Sequence, residues 1–226
     1  MRQLHSWDLT PQQAKEQQLK LCGLLKQMPI TNVNLIAGVD LSFPEPDQGY
    51  AVIVVVDAKT MRVVEYVTES SPVQFPYIPG LLAFREGPAF LKAWEKLRSK
   101  PDVVMFDGQG IAHPRHMGIA AHMGLFLELS TIGVAKSHLY GSYKEPSDQK
   151  GSYEYLYDED GEIIGAVLRT KSGSKPVFVS PGHMSDINSS IDLVMKCCTS
   201  YRLPEPTRIA HLISQKQFPK GDKLSF

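Results

Sequence analysis

Five consecutive residues, Val52-Ile53-Val54-Val55-Val56, are apolar without a break. A strand with one wet face carries a polar side chain at every second position. This one carries none, so both of its faces need cover. Strand-like runs at residues 35–41, 50–57 and 62–68 follow one another at short connections, which makes them an antiparallel meander. The pattern then changes. A helix over about 80–97, a strand at 103–106, a helix over 117–129 and a strand at 131–135 alternate, which implies parallel pairing.

Other elements frame this core. Thr10, Pro11 and Gln13 read as N-cap, first-turn proline and capping-box partner of a first helix. Its apolar stripe, Ala14, Leu21, Leu24, Leu25 and Met28, ends near Pro29. Runs at 153–157 and 163–168 form a hairpin turning at Asp158-Glu159-Asp160-Gly161. Residues 177–179 add a strand, and 186–201 and 205–215 are helical. At 226 residues the chain fits a single domain with a loose tail over 216–226. Three antiparallel strands, a helix, a parallel strand, a helix and a strand make an α/β fold that resembles the ribonuclease H-like mixed sheet flanked by helices. In that arrangement the first strand carries a central acidic residue and the adjacent fourth strand ends in another. Asp40 and Asp107 take those places.

Asp40 interrupts an apolar strand, and a buried carboxylate is costly unless paired or metal-bound. Alone, each aspartate reads more readily as a strand-end turn residue. Together, in matching topological places, they read as a shared divalent-metal site. Oxygen ligands favour Mg²⁺, with Mn²⁺ as substitute, and such ions suit phosphate substrates. Glu86 lies on the helix between them, where the plain reading is a solvated glutamate. His211 sits on the last helix, and Lys136 ends the strand parallel to the one that ends in Asp107, where clefts of such sheets lie. Tyr77 stands between Pro76 and Pro79 with Ile78; the prolines fix φ and hold the ring stiffly, unless it packs beneath the turn. Zinc at His113 and His116 is not expected, because no further ligand pair has usable spacing. Gly108-Gln109-Gly110 is too short for a phosphate loop.

Lys and Arg number 24, as do Asp and Glu, so a nucleic-acid partner requires a local cationic track. Arg85, Arg115, Lys136 and Arg202 are its expected members. Cys22, Cys197 and Cys198 form no disulfide or metal framework. No apolar run approaches a membrane span and no apolar leader follows Met1, so a cytoplasmic protein that does not enter the membrane is expected.

The segments Gly38-Val39-Asp40, Pro76-Tyr77-Ile78-Pro79-Gly80-Leu81-Leu82-Ala83-Phe84-Arg85-Glu86, Phe106 to Arg115 (FDGQGIAHPR), Gly133-Val134-Ala135-Lys136, Val179-Ser180-Pro181-Gly182-His183 and Tyr201 to Arg208 (YRLPEPTR) together resemble the endonuclease V family. The resemblance runs from about Val33 to His211. It implies a Mg²⁺-dependent DNA-repair endonuclease, acting as a monomer. Such an enzyme recognises deoxyinosine and hydrolyses the second phosphodiester 3′ to it, leaving the lesion in place. Inosine-containing RNA is the alternative substrate, and an inert nucleic-acid-binding module the alternative of another class. By the resemblance Asp40 and Asp107 hold the metal, Glu86 and His211 act nearby through water, Lys136 contacts the scissile phosphate, and Pro76, Tyr77, Ile78 and Pro79 form a wedge. The family varies between Asp and His at the last metal-proximal place; this chain has His211. A flipped base leaves a hole that an inserted side chain can fill. Hypoxanthine differs from adenine at O6 and N1, an edge that backbone groups can read where glycine allows approach. That points to Gly80, Gly108 and Gly118 as the base pocket, with Leu82, Ile119 and Leu139 as walls and His113 beside them.

Overall fold

The computed structural model describes residues 1–215. The 216–226 tail lies outside the described residues. One eight-stranded sheet runs through the molecule in the order β3-β2-β1-β4-β5-β8-β7-β6. β1 (Leu35–Glu45), β2 (Gln48–Asp57) and β3 (Val63–Pro72) form the antiparallel meander. β4 (Val103–Phe106) lies parallel to β1 with Val39 opposite Phe106, and β5 (Ser130–Ala135) lies parallel to β4. β6 (Tyr153–Tyr157), β7 (Ile163–Leu168) and β8 (Val177–Pro181) complete the sheet in antiparallel fashion.

The unbroken run on β2 does what its composition requires. Val52 to Val56 are all 0% exposed. Val52, Val54 and Val56 belong to one core cluster with Ala210 and Ile213 of α5 (Glu205–Ser214), which lies over β2, and with Ile191 and Val194 of α4 (Ile187–Cys197) farther along the same face. Ile53 and Val55 face the other way, into a cluster with Phe90 and Ala93 of α2 (Leu82–Trp94), which lies over β2, and with Met123 and Phe126 of the neighbouring α3 (Ile119–Leu127). Each fully buried side chain of this size contributes about 1.5–3 kcal/mol. The sheet is thus covered on both sides, and its β1 and β4 ends are left for chemistry.

Two local features set the position of that end. Gly38, two residues before Asp40, lies directly under α5: a Cβ there would stand 2.1 Å from the Pro206 carbonyl carbon. Its lack of a side chain lets α5 cross β1 at backbone contact, and α5 carries His211 over Asp40. Near β4, residues 108–118 fold back onto β8. Gly110 N–H donates to Ser180 Oγ at 2.7 Å and Ile111 N–H to the Pro181 carbonyl at 2.7 Å. A Cβ on Gly110 would lie 2.0 Å from the Pro181 oxygen.

α1 (Pro11–Cys22) differs from expectation at its end. The capping box of Thr10 and Gln13 forms as expected, but the helix stops at Gly23 rather than near Pro29. Glycine is among the poorest helix formers, and the chain leaves the helix there. Leu24 and Met28 are consequently 49% and 44% exposed instead of joining the stripe. α2 likewise begins only after Gly80, whose φ of +78° lies outside helical space. Among the described residues, no helix is long and apolar enough to cross a membrane. Burial pushes the Cys197 and Cys198 thiols up to about 12, in keeping with unreactive core cysteines.

Candidate active site

Five elements bring acidic and basic side chains to the end of β1 and β4. Asp40 projects from β1 and is 5% exposed. Asp107 follows β4, its N–H donating to the Val39 carbonyl at 3.3 Å. Glu86 comes from α2 and is 8% exposed; it is not the solvated glutamate that its sequence context first suggests. His211 comes from α5, with Nδ1 3.3 Å from Asp40 Oδ1. Asp40, Asp107 and His211 each offer a ligand atom, and these atoms all lie within 4.8 Å of one another. Lys136, one residue past β5, places Nζ 2.5 Å from Asp107 Oδ2.

The electrostatics are those of a site short of positive charge. Burial pushes the Asp40 carboxyl above its usual range; the hydrogen bond from Ser214 opposes this, and the neighbouring Asp107 charge adds to it. Burial raises Glu86 well above its usual range, and Asp40 and Asp107 raise it further. No hydrogen-bond donor reaches Glu86 among the described residues, and only the Arg85 charge opposes its desolvation. Converging carboxylates with one imidazole, mutually repulsive and only partly neutralised by Lys136, fit a hard divalent cation. The donor set could hold such an ion through Asp40, Asp107 and His211.

Two cavities meet at this end. A cleft of about 280 Å³ holds Asp40, Glu86 and Asp107. A second cavity of about 310 Å³, within the range of small-ligand sites, is lined by all seven of the expected base-pocket residues: Gly80, Leu82, Gly108, His113, Gly118, Ile119 and Leu139. Tyr77, Leu82, Asp107 and Ile119 line both. Tyr77 is 70% exposed and so does not pack beneath its turn; Pro76 and Pro79 are also exposed, while Ile78 is half-buried against the cluster of Phe75, Leu81 and Phe84. The loop is fastened at both ends. Arg85 donates to the Phe75 carbonyl at 2.8 Å, and the Gly80 carbonyl accepts from Gln18 Nε2, His113 Nε2 and Arg115 Nη2 at 2.8–2.9 Å.

This clamp defines His113 more sharply than its sequence could. With Nε2 donating to Gly80, Nδ1 accepts from the Arg115 N–H at 3.1 Å, so the ring is neutral and both nitrogens are engaged. Burial pushes its pKa down to about 4. His113 therefore faces the cavity as a ring edge with no free polar atom, and zinc ligation has no nitrogen left to use.

The expected cationic track is narrower than its sequence suggested. Arg85 donates to the Phe75 and Pro46 carbonyls and stacks on Phe43, and Arg115 serves Gly80 and Gln18. Arg202 donates to the carbonyls of Lys136, Lys175 and Pro176. The arginines chiefly fasten loops, and Lys136 alone of the four pairs with the acidic cluster. Sequence reasoning missed two residues. Ser214 hydrogen-bonds Asp40 Oδ2 from one turn beyond His211, a spacing visible once His211 is placed. Gln18, 0% exposed on α1, had no signal, since a helical glutamine is ordinarily solvated.

The model of the family described as "Endonuclease V" matches residues 16–212. The endonuclease V of Kosmotoga olearia is 52% identical over 217 residues, covering 96% of each chain. The crystal structure of endonuclease V from Bacillus subtilis superposes with a TM-score of 0.89 at 36% identity, covering 94% of each chain. Endonuclease V of Ciona intestinalis, crystallised with a 24mer DNA containing an inosine followed by a ribo-adenosine, superposes with a TM-score of 0.82 at 26% identity, covering 91% of this chain and 96% of that one. The match spans the sheet, both cavities and Asp40, Glu86 and Asp107: this chain belongs to the endonuclease V family.

Proposed function

We propose that this chain is a Mg²⁺-dependent endonuclease that recognises deoxyinosine in DNA and hydrolyses the second phosphodiester 3′ to it, leaving the lesion in a nicked strand. The observation that carries this reading is the pair of adjoining cavities, one lined by carboxylates and one by backbone and apolar walls, with Tyr77 and Asp107 common to both. The relative bound to inosine-containing DNA supports the same substrate.

Asp40 and Asp107 are the assigned metal ligands, with Mn²⁺ as a substitute for Mg²⁺. When bound, the ion supplies Lewis-acid polarisation of the phosphoryl group and charge for the departing alkoxide. Ser214 and His211 hold the Asp40 carboxylate in one orientation. Glu86, open to the cleft and without a donor among the described residues, orients the attacking water together with His211. Lys136 moves from its partner Asp107 to the scissile phosphate as the substrate arrives. Tyr77 enters the stack in place of the extruded base, which the 310 Å³ cavity receives. Gly108 and Gly118 allow backbone close to the base edge. Gly80 offers position rather than an acceptor, because its carbonyl already takes three hydrogen bonds.

The test is one duplex with a single inosine, its inosine-free counterpart and the matched RNA, each incubated with and without Mg²⁺ and mapped at nucleotide resolution. A single Mg²⁺-dependent nick at the second bond 3′ of inosine in DNA is expected. Cutting confined to RNA would move the assignment to a ribonuclease, and no cutting of any strand would leave a binding module.

A further inference from the structure

Among the described residues, the most exposed aromatic ring after Tyr77 lines neither cavity. Tyr201, in the turn between α4 and α5, is 51% exposed. The Arg208 guanidinium lies 4.0 Å from its ring centroid. Two hydrogen bonds to Glu205 Oε2, at 2.9 and 2.6 Å, fix the guanidinium there. Cations gather around the turn. Lys150 Nζ donates to the Cys198 and Thr199 carbonyls at 3.1 and 3.3 Å, and Arg202 donates to the Lys175 carbonyl at 2.7 Å.

The turn is also tied to the acidic cluster. Arg202, next to Tyr201, donates to the Lys136 carbonyl at 2.9 Å, and the Lys136 ammonium pairs with Asp107. Arg208 is one helical turn ahead of His211 on α5. Tyr201 is thus linked to the cleft only through Arg202 and Lys136 and joins α4 to α5 on one side of the sheet, whereas Leu82 and Ile119 of the 310 Å³ cavity belong to α2 and α3 on the other side. Lys150, Arg202 and Arg208 thus bring three basic side chains to the turn that carries this exposed ring, Arg208 already paired with Glu205. A flat ring with a guanidinium against it, set among cations, suits a nucleobase stacked beside its phosphates.

We propose that Tyr201, backed by Arg208, is a stacking platform for an unpaired base of the substrate strand, outside the inosine cavity and on the far side of the scissile phosphate. This rests on the proposed function and adds a second base contact to it. Stacking is tolerant of sequence, so the platform grips the strand without reading it.

The experiment measures binding of single-stranded, inosine-containing oligonucleotides by fluorescence anisotropy without divalent cation. Wild type, Tyr201→Ala and Tyr201→Trp are compared on a strand extending well beyond inosine in both directions and on strands shortened stepwise from either end. Tyr201→Ala should weaken binding of the full strand by about tenfold to a hundredfold. Tyr201→Trp should restore it, and the wild-type advantage should vanish once one particular end is shortened past the platform. Equal affinity of wild type and Tyr201→Ala, or a loss of the same factor at every length, would overturn the proposal, the latter marking a structural residue. The proposed function is read separately, from nicking of inosine duplex by the wild type alone.

Discussion

Tyr77 and Glu86 are opposite cases of a residue whose surroundings decide its use. Tyr77 is 70% exposed between exposed prolines, so removing its ring leaves no core void. Tyr77→Ala should lower affinity for an inosine duplex by about tenfold to a hundredfold, equivalent to ~1–3 kcal/mol of stacking. Cleavage at saturating enzyme should survive better than binding, and discrimination against inosine-free duplex should fall. Paired titrations with unchanged affinity and unchanged preference would make the ring a bystander. Glu86 is buried against Asp40 and Asp107, and its carboxyl is held well above the usual range by burial and then by those charges. Glu86→Gln should therefore stabilise the metal-free protein, by about 1 kcal/mol or ~2–4 °C in Tm, while shrinking the Tm rise produced by Mg²⁺. Thermal melts with and without Mg²⁺ measure both; a metal-free variant less stable than wild type would contradict the repulsion. Strand-end acids in matching topological places mark Asp40 and Asp107 in the sequence. His211 comes only from the family resemblance, since a lone helical histidine has no distinctive pattern of its own. Ser214 and Gln18 were not legible, since a serine's or glutamine's partner is fixed by contacts far along the chain: Ser214 with Asp40, Gln18 with Gly80 and Met117.

Among the elements, the decisive contact is α5 on β1. Gly38 has no room for a side chain beneath Pro206, so Gly38→Ala must push α5 away and carry His211 and Ser214 off Asp40. The expected cost is about 1–3 kcal/mol of stability, the usual range for overpacking, with a weakened Mg²⁺ response. Denaturant unfolding and a Mg²⁺ titration of cleavage read these effects; a variant of wild-type stability and Mg²⁺ dependence would mean that α5 does not depend on that close approach. Sequence periodicity located this element and nearly all others. The hairpin of β6 and β7 and the strand β4 match their expected limits, because alternation and turn residues are local signals. The end of α1 was misread because the apolar stripe continues past Gly23, and a stripe records hydrophobicity without recording where the backbone leaves the helix. The loop-fastening bonds of the arginines were not legible for a related reason. Charge is visible in a sequence, but whether a guanidinium meets a phosphate or a carbonyl depends on which loop lies beside it, as Arg85 and Arg115 illustrate.

At the level of the whole molecule, histidine burial couples stability to pH. His5 and His122 share a 2.7 Å hydrogen bond between their Nε2 atoms, within a cluster of Trp7, Phe84 and Phe126. Burial lowers the pKa of both, and of His113 and His183. Their folded-state values lie below the unfolded value near 6.5, so the unfolded chain binds more protons in acid. The stability they support is complete above about pH 6.5 and is lost as pH falls through the folded values, at up to ~1.4 kcal/mol per pH unit for each ring. Asp40 and Glu86, raised in the folded state, take up protons there and blunt the loss. Urea unfolding at pH 7.5 and 5.5 should give a lower stability at 5.5; equal values would show that these rings do not titrate with unfolding. The central claim, that the carboxylates cut and the neighbouring cavity binds, is tested most directly by Asp40→Ala on an inosine duplex, with cleavage in Mg²⁺ and binding without it measured on one preparation. Cleavage should fall below a few per cent of the wild-type rate while affinity and preference for inosine stay close to wild type. A variant that still nicks at a substantial rate, or that loses inosine binding together with cleavage, would contradict the division of labour between the two cavities.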